Sequence, residues 1–220
     1  MTYKYIIMCG GNYANWSTPR QLIPVMGEPV VARTIRLLRD AGVEDISIST
    51  HDKRFEQFGV PLLEHENNFY AYHDEMDDQG CWVTAFYPTE EPACYLLGDV
   101  VFSPDAINRI VSKETTDIDF FASAPPFHLL YIKPYAEPFA FKVKDQKTFR
   151  NNIKQTIAYD KLGAFNRRPI AWEFWQVIKG TQLNQIDYTN YTVINDYTCD
   201  IDSEQDARMI ESVLDLIERT

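Results

Sequence analysis

The sequence predicts a three-layer α/β sandwich built on a mostly parallel sheet. Three observations carry this. The first fifty residues read strand, turn, helix, strand, the unit that makes parallel neighbours. Ala93-Cys94-Tyr95-Leu96-Leu97 is a continuous apolar run, as expected of a strand covered on both faces. The chain also ends in a segment with apolar residues at helical spacing, from Ala207 to Ile217.

Lys4 to Cys9 is the first strand. Pro29 stands where a helix begins, and Val30, Val31, Thr34, Ile35, Leu37 and Leu38 form its apolar face up to about Ala41. Gly42 ends it. Asp45 to Thr50 alternates as a second strand, and Val60 to Glu64 reads as a short third. Residues 65 to 80 are polar and acidic and read as a loop over a cleft; Cys81 to Tyr87 reads as a short helix. After the apolar run, Ser103 is placed to cap a helix from Pro104 to Val111. Phe120 to Ala124 is a further strand, and Pro125 to Lys144 reads as strands or a hairpin at the sheet edge. Lys147 to Tyr159 and Trp172 to Ile178 read as helices, Tyr191 to Ile194 as strand, and Ser203 caps the last helix, Glu204 to Glu218. The whole chain, 1–220, is read as one domain.

Composition narrows the function. A net charge of −11 argues against a nucleic-acid surface, since no compensating basic patch is present. No apolar run is long enough to span a bilayer, and no signal peptide is visible, so no membrane partner and a cytoplasmic location are expected. The cysteines Cys9, Cys81, Cys94 and Cys199 form no Cys-x-x-Cys pair, and Cys9 and Cys94 read as buried thiols. The histidines show no ligand spacing, and no serine sits in a Gly-x-Ser-x-Gly elbow. The oligomeric state stays open, a homodimer being one option.

Three motifs carry chemistry. The first runs from Ile6 to Pro29: a buried strand, the glycines Gly10 and Gly11, then Pro19-Arg20-Gln21-Leu22 and Gly27-Glu28-Pro29. Glycines let backbone N–H groups approach a phosphate, and an arginine adds a fixed positive fork for the same anion. The second is Gly98-Asp99, at the end of the apolar run. A carboxylate there lies at the mouth of an open α/β sheet, where ligands bind. The third is Asp200-Ile201-Asp202-Ser203 before the last helix, with Asp206 four residues on from Asp202. In an extended segment Asp200 and Asp202 point the same way, and a divalent cation would relieve their repulsion. Asp206 belongs to the helix start, where a negative charge is favoured.

In order and spacing these motifs resemble the nucleotidyltransferase superfamily of sugar-phosphate pyrophosphorylases, cytidylyltransferases and MobA-like NTP transferases. That family runs from a glycine-rich loop through Pro-Lys-x-Leu and Gly-x-Pro to Gly-Asp and a terminal Asp-x-Asp. The likeness covers the first ~110 and last ~25 residues, the extent one α/β unit would require. It implies a Rossmann-like sheet of the nucleotide-diphospho-sugar transferase type. It also implies transfer of a nucleotide from a nucleoside triphosphate, CTP by preference, to a small phosphorylated sugar, polyol or alcohol, with release of pyrophosphate. By the same likeness Cys9, Gly10, Gly11, Asn12, Tyr13, Arg20 and Gly98 bind the nucleotide. Arg20 and Asp99 act in catalysis, and Asp99, Asp202 and Asp200 hold Mg²⁺. Roughly residues 120–195 would read the acceptor.

Three departures stand out. Asn12 stands at the third position of the family's Gly-x-Gly-x-Arg loop, the loop lacks that arginine, and Arg20 replaces the lysine of Pro-Lys. A planar guanidinium is not a neutral exchange for a compact ammonium. Two other readings therefore stay open: a metal-dependent glycosyltransferase of the related fold, and a nucleotide-binding homologue without activity. Outside the motifs, Lys133 and Arg167-Arg168 read as solvated surface, with pairing to an acceptor phosphate as the alternative, and Glu173 with Trp172 and Trp175 as aromatic core or acceptor pocket.

Overall fold

The computed structural model describes residues 2–10, 18–65, 81–127 and 132–218. The loop expected over residues 65 to 80 lies almost entirely outside these. The described strands are β1 (Lys4–Met8), β2 (Pro24–Val25), β3 (Glu28–Pro29), β4 (Ile46–Ser49), β5 (Leu62–Leu63), β6 (Ala93–Leu97), β7 (Val100–Val101), β8 (Ile118–Ser123), β9 (Glu137–Val143), β10 (Thr192–Val193) and β11 (Cys199–Asp200). The described helices are α1 (Val30–Asp40), α2 (Pro104–Ser112), α3 (Gln146–Lys161), α4 (Ala171–Lys179) and α5 (Glu204–Glu218). Among the described residues, seven strands form one sheet in the order β10-β8-β9-β6-β1-β4-β5. β1 lies parallel between β4 and β6.

Alternation along the strands makes the three layers. Tyr5 and Ile7 of β1, with Cys94 and Leu96 of β6, pack on one face against Val31, Ile35 and Leu38 of α1 and Ile107 and Ile110 of α2. Ile6 and Met8, with Ala93 and Tyr95, face the other layer, where Phe149 of α3 and Trp172 and Phe174 of α4 lie. That second layer is an aromatic stack: the Phe86 ring lies 5.0 Å from Phe149 and 5.1 Å from Tyr95. All four cysteines are buried and unbridged.

The helix ends follow the local chemistry. Gly42, at φ 81°, closes α1 in a conformation that favours glycine. Ser103 Oγ accepts from the Ala106 amide at 2.9 Å and caps α2.

The stretch 125–144 departs from the expectation of a sheet edge. β9 runs antiparallel inside the sheet, between β6 and β8. The reason lies in its side chains: Phe139, Phe141 and Val143 are fully buried, which an edge strand could not achieve. Lys142 is also buried, and its Nζ donates to the carbonyls of Ile110, Val111 and Lys113 at 2.8–2.9 Å. It thereby satisfies the carbonyls left open at the end of α2. The expected helix at 81–87 is a 3-10 turn over Trp82–Ala85.

A smaller unit carries the C-terminus to the sheet. β11 pairs antiparallel with β7, setting Asp200 opposite Val100 and Cys199 opposite Val101. α5 packs Ala207, Ile210 and Leu214 against Val25, Val30, Val101 and Ile201. No described helix is long and apolar enough to cross a membrane.

Candidate active site

The cleft forms where β1 and β6 end. Two parallel neighbours finish side by side there, and the Gly98 amide donates to the Met8 carbonyl at 3.0 Å. The cleft holds about 460 Å³. Its lining includes Gly10, Arg20, Gln21, Gly98, Asp99, Glu137, Asp200 and Asp202, together with Trp82, Tyr135, Arg167, Trp172 and Tyr188.

Asp99 follows β6 directly. Its backbone carbonyl accepts from the Ile201 amide at 2.9 Å, which ties the terminal Asp-x-Asp to the Gly-Asp turn. Burial pushes the Asp99 carboxyl up to about 6; Arg20 opposes that rise, and Asp200 and Asp202 add to it. Arg20 lies on a short 3-10 turn, Arg20–Leu22, entered from Pro19. Its Nη1 stands 2.6 Å from Asp202 Oδ1 and 3.5 Å from Asp99 Oδ2, and donates to the Ile201 carbonyl at 3.3 Å. Asp99, Arg20 and Asp202, far apart in sequence, thus meet at one nitrogen.

Lys133 is the largest departure from expectation. It was expected on the solvated surface, and its side chain is only 3% exposed. Its Nζ pairs with Asp200 and lies 3.3 Å from Asp202, 3.4 Å from Asp206 and 3.4 Å from Glu137. These carboxylates raise its pKa against the cost of burial, so it stays protonated at neutral pH. Glu137 in turn accepts from the Asp200 amide at 3.2 Å. Asp206 takes the helix-start role expected of it: its Oδ2 accepts from the amides of Asp202 and Ser203 at 3.0 and 2.8 Å. A lysine in a proline-rich stretch gives no sign of this; only its carboxylate neighbours, brought from other segments, make its burial tolerable.

The other expected nucleotide-binding residues fall out as follows. Gly10 lines the cleft. Gly11, Asn12 and Tyr13 lie outside the described residues. Cys9 is buried; its amide donates to the Ser49 carbonyl at 2.9 Å and its carbonyl accepts from Thr50 Oγ1 at 3.2 Å. Burial holds its thiol well above its usual range. Gly98 lines the cleft, but the room it leaves is taken by the protein itself. A β-carbon there would overlap the Met8 carbonyl oxygen and come within 2.7 Å of Cys9 Sγ. Gly98→Ala is therefore expected to cost roughly 1–3 kcal/mol of stability by urea unfolding. A change under about 0.5 kcal/mol would show that the turn relaxes freely. Gln21, which sequence reasoning passed over, is 5% exposed, and its Oε1 has no hydrogen-bond partner among the described residues. Glu173 is buried and accepts from Arg167 Nε at 2.5 Å and from the Ile170 amide at 3.1 Å. It braces the start of α4 rather than lining the cleft.

The donor chemistry suits a hard divalent cation only in part. Among the described residues no three His, Cys, Asp or Glu side chains are arranged to hold an ion by themselves. Asp99 and Asp202 do converge on one point, the Arg20 nitrogen. Two carboxylates completed by phosphate oxygens and water are what Mg²⁺ ordinarily takes, so the residues fit an ion that arrives with its phosphate. Asp200, also expected on the metal, is paired with Lys133 instead.

Residues 5–138 match the family model of the MobA-like NTP transferase domain, more than half of the chain. The chain belongs to that family. Solved structures share the fold of this MobA-like NTP transferase at low sequence identity. CTP:phosphocholine cytidylyltransferase from Streptococcus pneumoniae is 16% identical with a TM-score of 0.53, over 97% of this chain and 100% of that one. UDP-glucose pyrophosphorylase from Acinetobacter baumanii is 14% identical with a TM-score of 0.57, over 96% and 92%. The 4-diphosphocytidyl-2C-methyl-D-erythritol synthase from Anaerococcus prevotii is 10% identical with a TM-score of 0.55, over 97% and 99%. No curated protein matches the chain in sequence. The expected resemblance and the three-layer, mostly parallel fold are both borne out.

Proposed function

We propose that this NTP transferase moves a nucleoside monophosphate from CTP to a small phosphorylated sugar, polyol or alcohol and releases pyrophosphate. The observation that carries the reading is the meeting of Arg20, Asp99 and Asp202 in the cleft where β1 and β6 end. An acceptor phosphate oxygen attacks the α-phosphorus, the bond to the β-phosphate breaks, and pyrophosphate leaves with that electron pair. No covalent intermediate is needed; the chain has to align the two phosphates and offset their charge. Arg20 and the Gly10 amide take the triphosphate. Asp99 and Asp202 hold Mg²⁺, which when bound draws charge from the phosphate oxygens. Lys133 keeps the surrounding acids from repelling the incoming phosphates. Of the lining residues, Trp82, Tyr135, Arg167, Trp172 and Tyr188 are the aromatic and basic side chains offered to the acceptor. All but Trp82 fall within the acceptor-reading region. The cytidyl choice is supported by the names of two of the fold neighbours.

Pyrophosphate release from CTP, GTP, UTP and dTTP, each with Mg²⁺ and a panel of phosphosugars and phosphoalcohols, tests the reading. CTP is expected to lead, and Arg20→Ala to raise the triphosphate Kd at least about tenfold, near 1.4 kcal/mol. Preference for another base would overturn the base assignment alone. No pyrophosphate from any pairing, with CTP still bound, would leave a nucleotide-binding homologue without activity.

A further inference from the structure

Arg20 stands where the metal would have to be. One nitrogen, Nη1, bridges Asp202 Oδ1 at 2.6 Å and Asp99 Oδ2 at 3.5 Å, the two carboxylates assigned above to the ion. Lys133 also reaches Asp202, at 3.3 Å, but the two cations are held very differently. The Lys133 side chain is 3% exposed and is gripped by Asp200, Asp206 and Glu137 as well. The Arg20 side chain keeps 23% of its surface in the open, on a three-residue turn at the cleft wall.

We propose that Arg20 is an exchangeable stand-in for the metal ion, so that metal and triphosphate bind as a pair and each poorly alone. This rests on the reading of Asp99 and Asp202 as the metal carboxylates. Metal arriving alone must evict the guanidinium and leave it facing a second positive charge. Triphosphate arriving alone must draw Arg20 away and leave two carboxylates facing added negative charge. Either solitary event strands a charge in a partly buried site. When both arrive, the ion takes the carboxylates and the guanidinium takes the phosphate, and no charge is stranded. The coupling is reciprocal by thermodynamic necessity.

The test is Mn²⁺ binding to the nucleotide-free protein, read from the loss of the free-ion signal in electron paramagnetic resonance. It compares the natural protein, Arg20→Gln and Arg20→Lys, each first shown folded by circular dichroism. Arg20→Gln removes the occupant's charge and is expected to bind Mn²⁺ at least about tenfold more tightly than the natural protein. Arg20→Lys keeps a cation there and is expected to stay within about threefold of the natural protein. A non-hydrolysable CTP analogue then tests the other half. The natural protein should bind it at least about tenfold more tightly with Mn²⁺ than without, and Arg20→Gln should lose most of that gain. Equal or weaker Mn²⁺ binding by Arg20→Gln overturns the exchange, even if pyrophosphate release proceeds normally. Tighter Mn²⁺ binding by Arg20→Gln, with no affinity of the natural protein for any triphosphate, would instead overturn the transferase reading and leave the displacement at the carboxylates standing.

Discussion

Asp99→Asn is expected to make the metal-free protein more stable and nearly inactive. The two effects have one cause. Burial holds the Asp99 carboxyl at about 6, above the ordinary value near 3.9. An acid whose pKa is raised by folding binds more protons folded than unfolded between those limits. The native state is therefore penalised as pH rises from about 4 to about 6, and the penalty is complete above that window. At about 1.4 kcal/mol per unit, the ionised carboxylate costs on the order of 3 kcal/mol at pH 7. Asparagine keeps the size and removes that cost. In EDTA at pH 7 the variant should melt a few degrees higher than the natural protein, and the gap should close near pH 4. Turnover should fall roughly 10²–10³-fold or more, because the group that holds the ion at the phosphates has lost its charge. A lower melting temperature at pH 7 would make the Asp99 charge a net structural asset. Near-normal turnover at limiting Mg²⁺ would reduce Asp99 to a turn residue.

Lys133→Met is the second large expected effect, and its sign is opposite. The amine is the shared partner of Glu137, Asp200, Asp202 and Asp206, and removing it leaves those acids facing one another with little water. Deleting one partner of a buried ion pair typically costs about 3–5 kcal/mol, which here means a melting temperature lower by roughly 10 °C. The cost should shrink in Lys133→Met/Glu137→Gln, where one carboxylate has gone with the amine. Folding raises the Lys133 pKa, so its contribution is complete below the unfolded value near 10.4 and is lost only as pH climbs beyond that. The gap between natural protein and variant should accordingly hold constant from about pH 7 to 9. Urea unfolding at pH 7 decides the matter: a difference below about 1 kcal/mol would show that Lys133 and its acids act as a surface cluster.

Much of this was legible in the sequence because it is local. The string from Ile6 to Pro29 announces a strand and the start of a helix through residues that act on their own neighbours. Asp99 ends an apolar run and so had to lie at the mouth of the sheet. Asp206 sits one turn into a helix, where its carboxylate meets backbone amides whatever the rest of the fold does. The likeness that joined these motifs added the order in which they serve one cleft.

Apart from the 3-10 turn at Trp82–Ala85, the failures were non-local. β9 read as an edge because its prolines and aromatics are ambiguous alone; its place between β6 and β8 depends on strands on either side. Lys142 is buried because the carbonyls of another element take its three protons, a need that nothing near it in the chain announces. Gly98 read as room for a ligand, whereas the room belongs to Met8 and Cys9.

The sequence by itself therefore determined most element types, the layer architecture and the presence of Arg20, Asp99, Asp200 and Asp202 around the cleft, but not that of Glu137. Periodicity, turn residues and caps are interactions within a few positions of the chain. Which charge sits beside which was decided only by the tertiary structure. The pairing of β11 with β7 and the packing of α5 on β2 set Asp202 against Arg20, and the same segment brings Asp200 to Lys133. A charge's partner and its burial depend on segments almost two hundred residues apart, and no spacing rule along the chain encodes a distance of 2.6 Å across the fold.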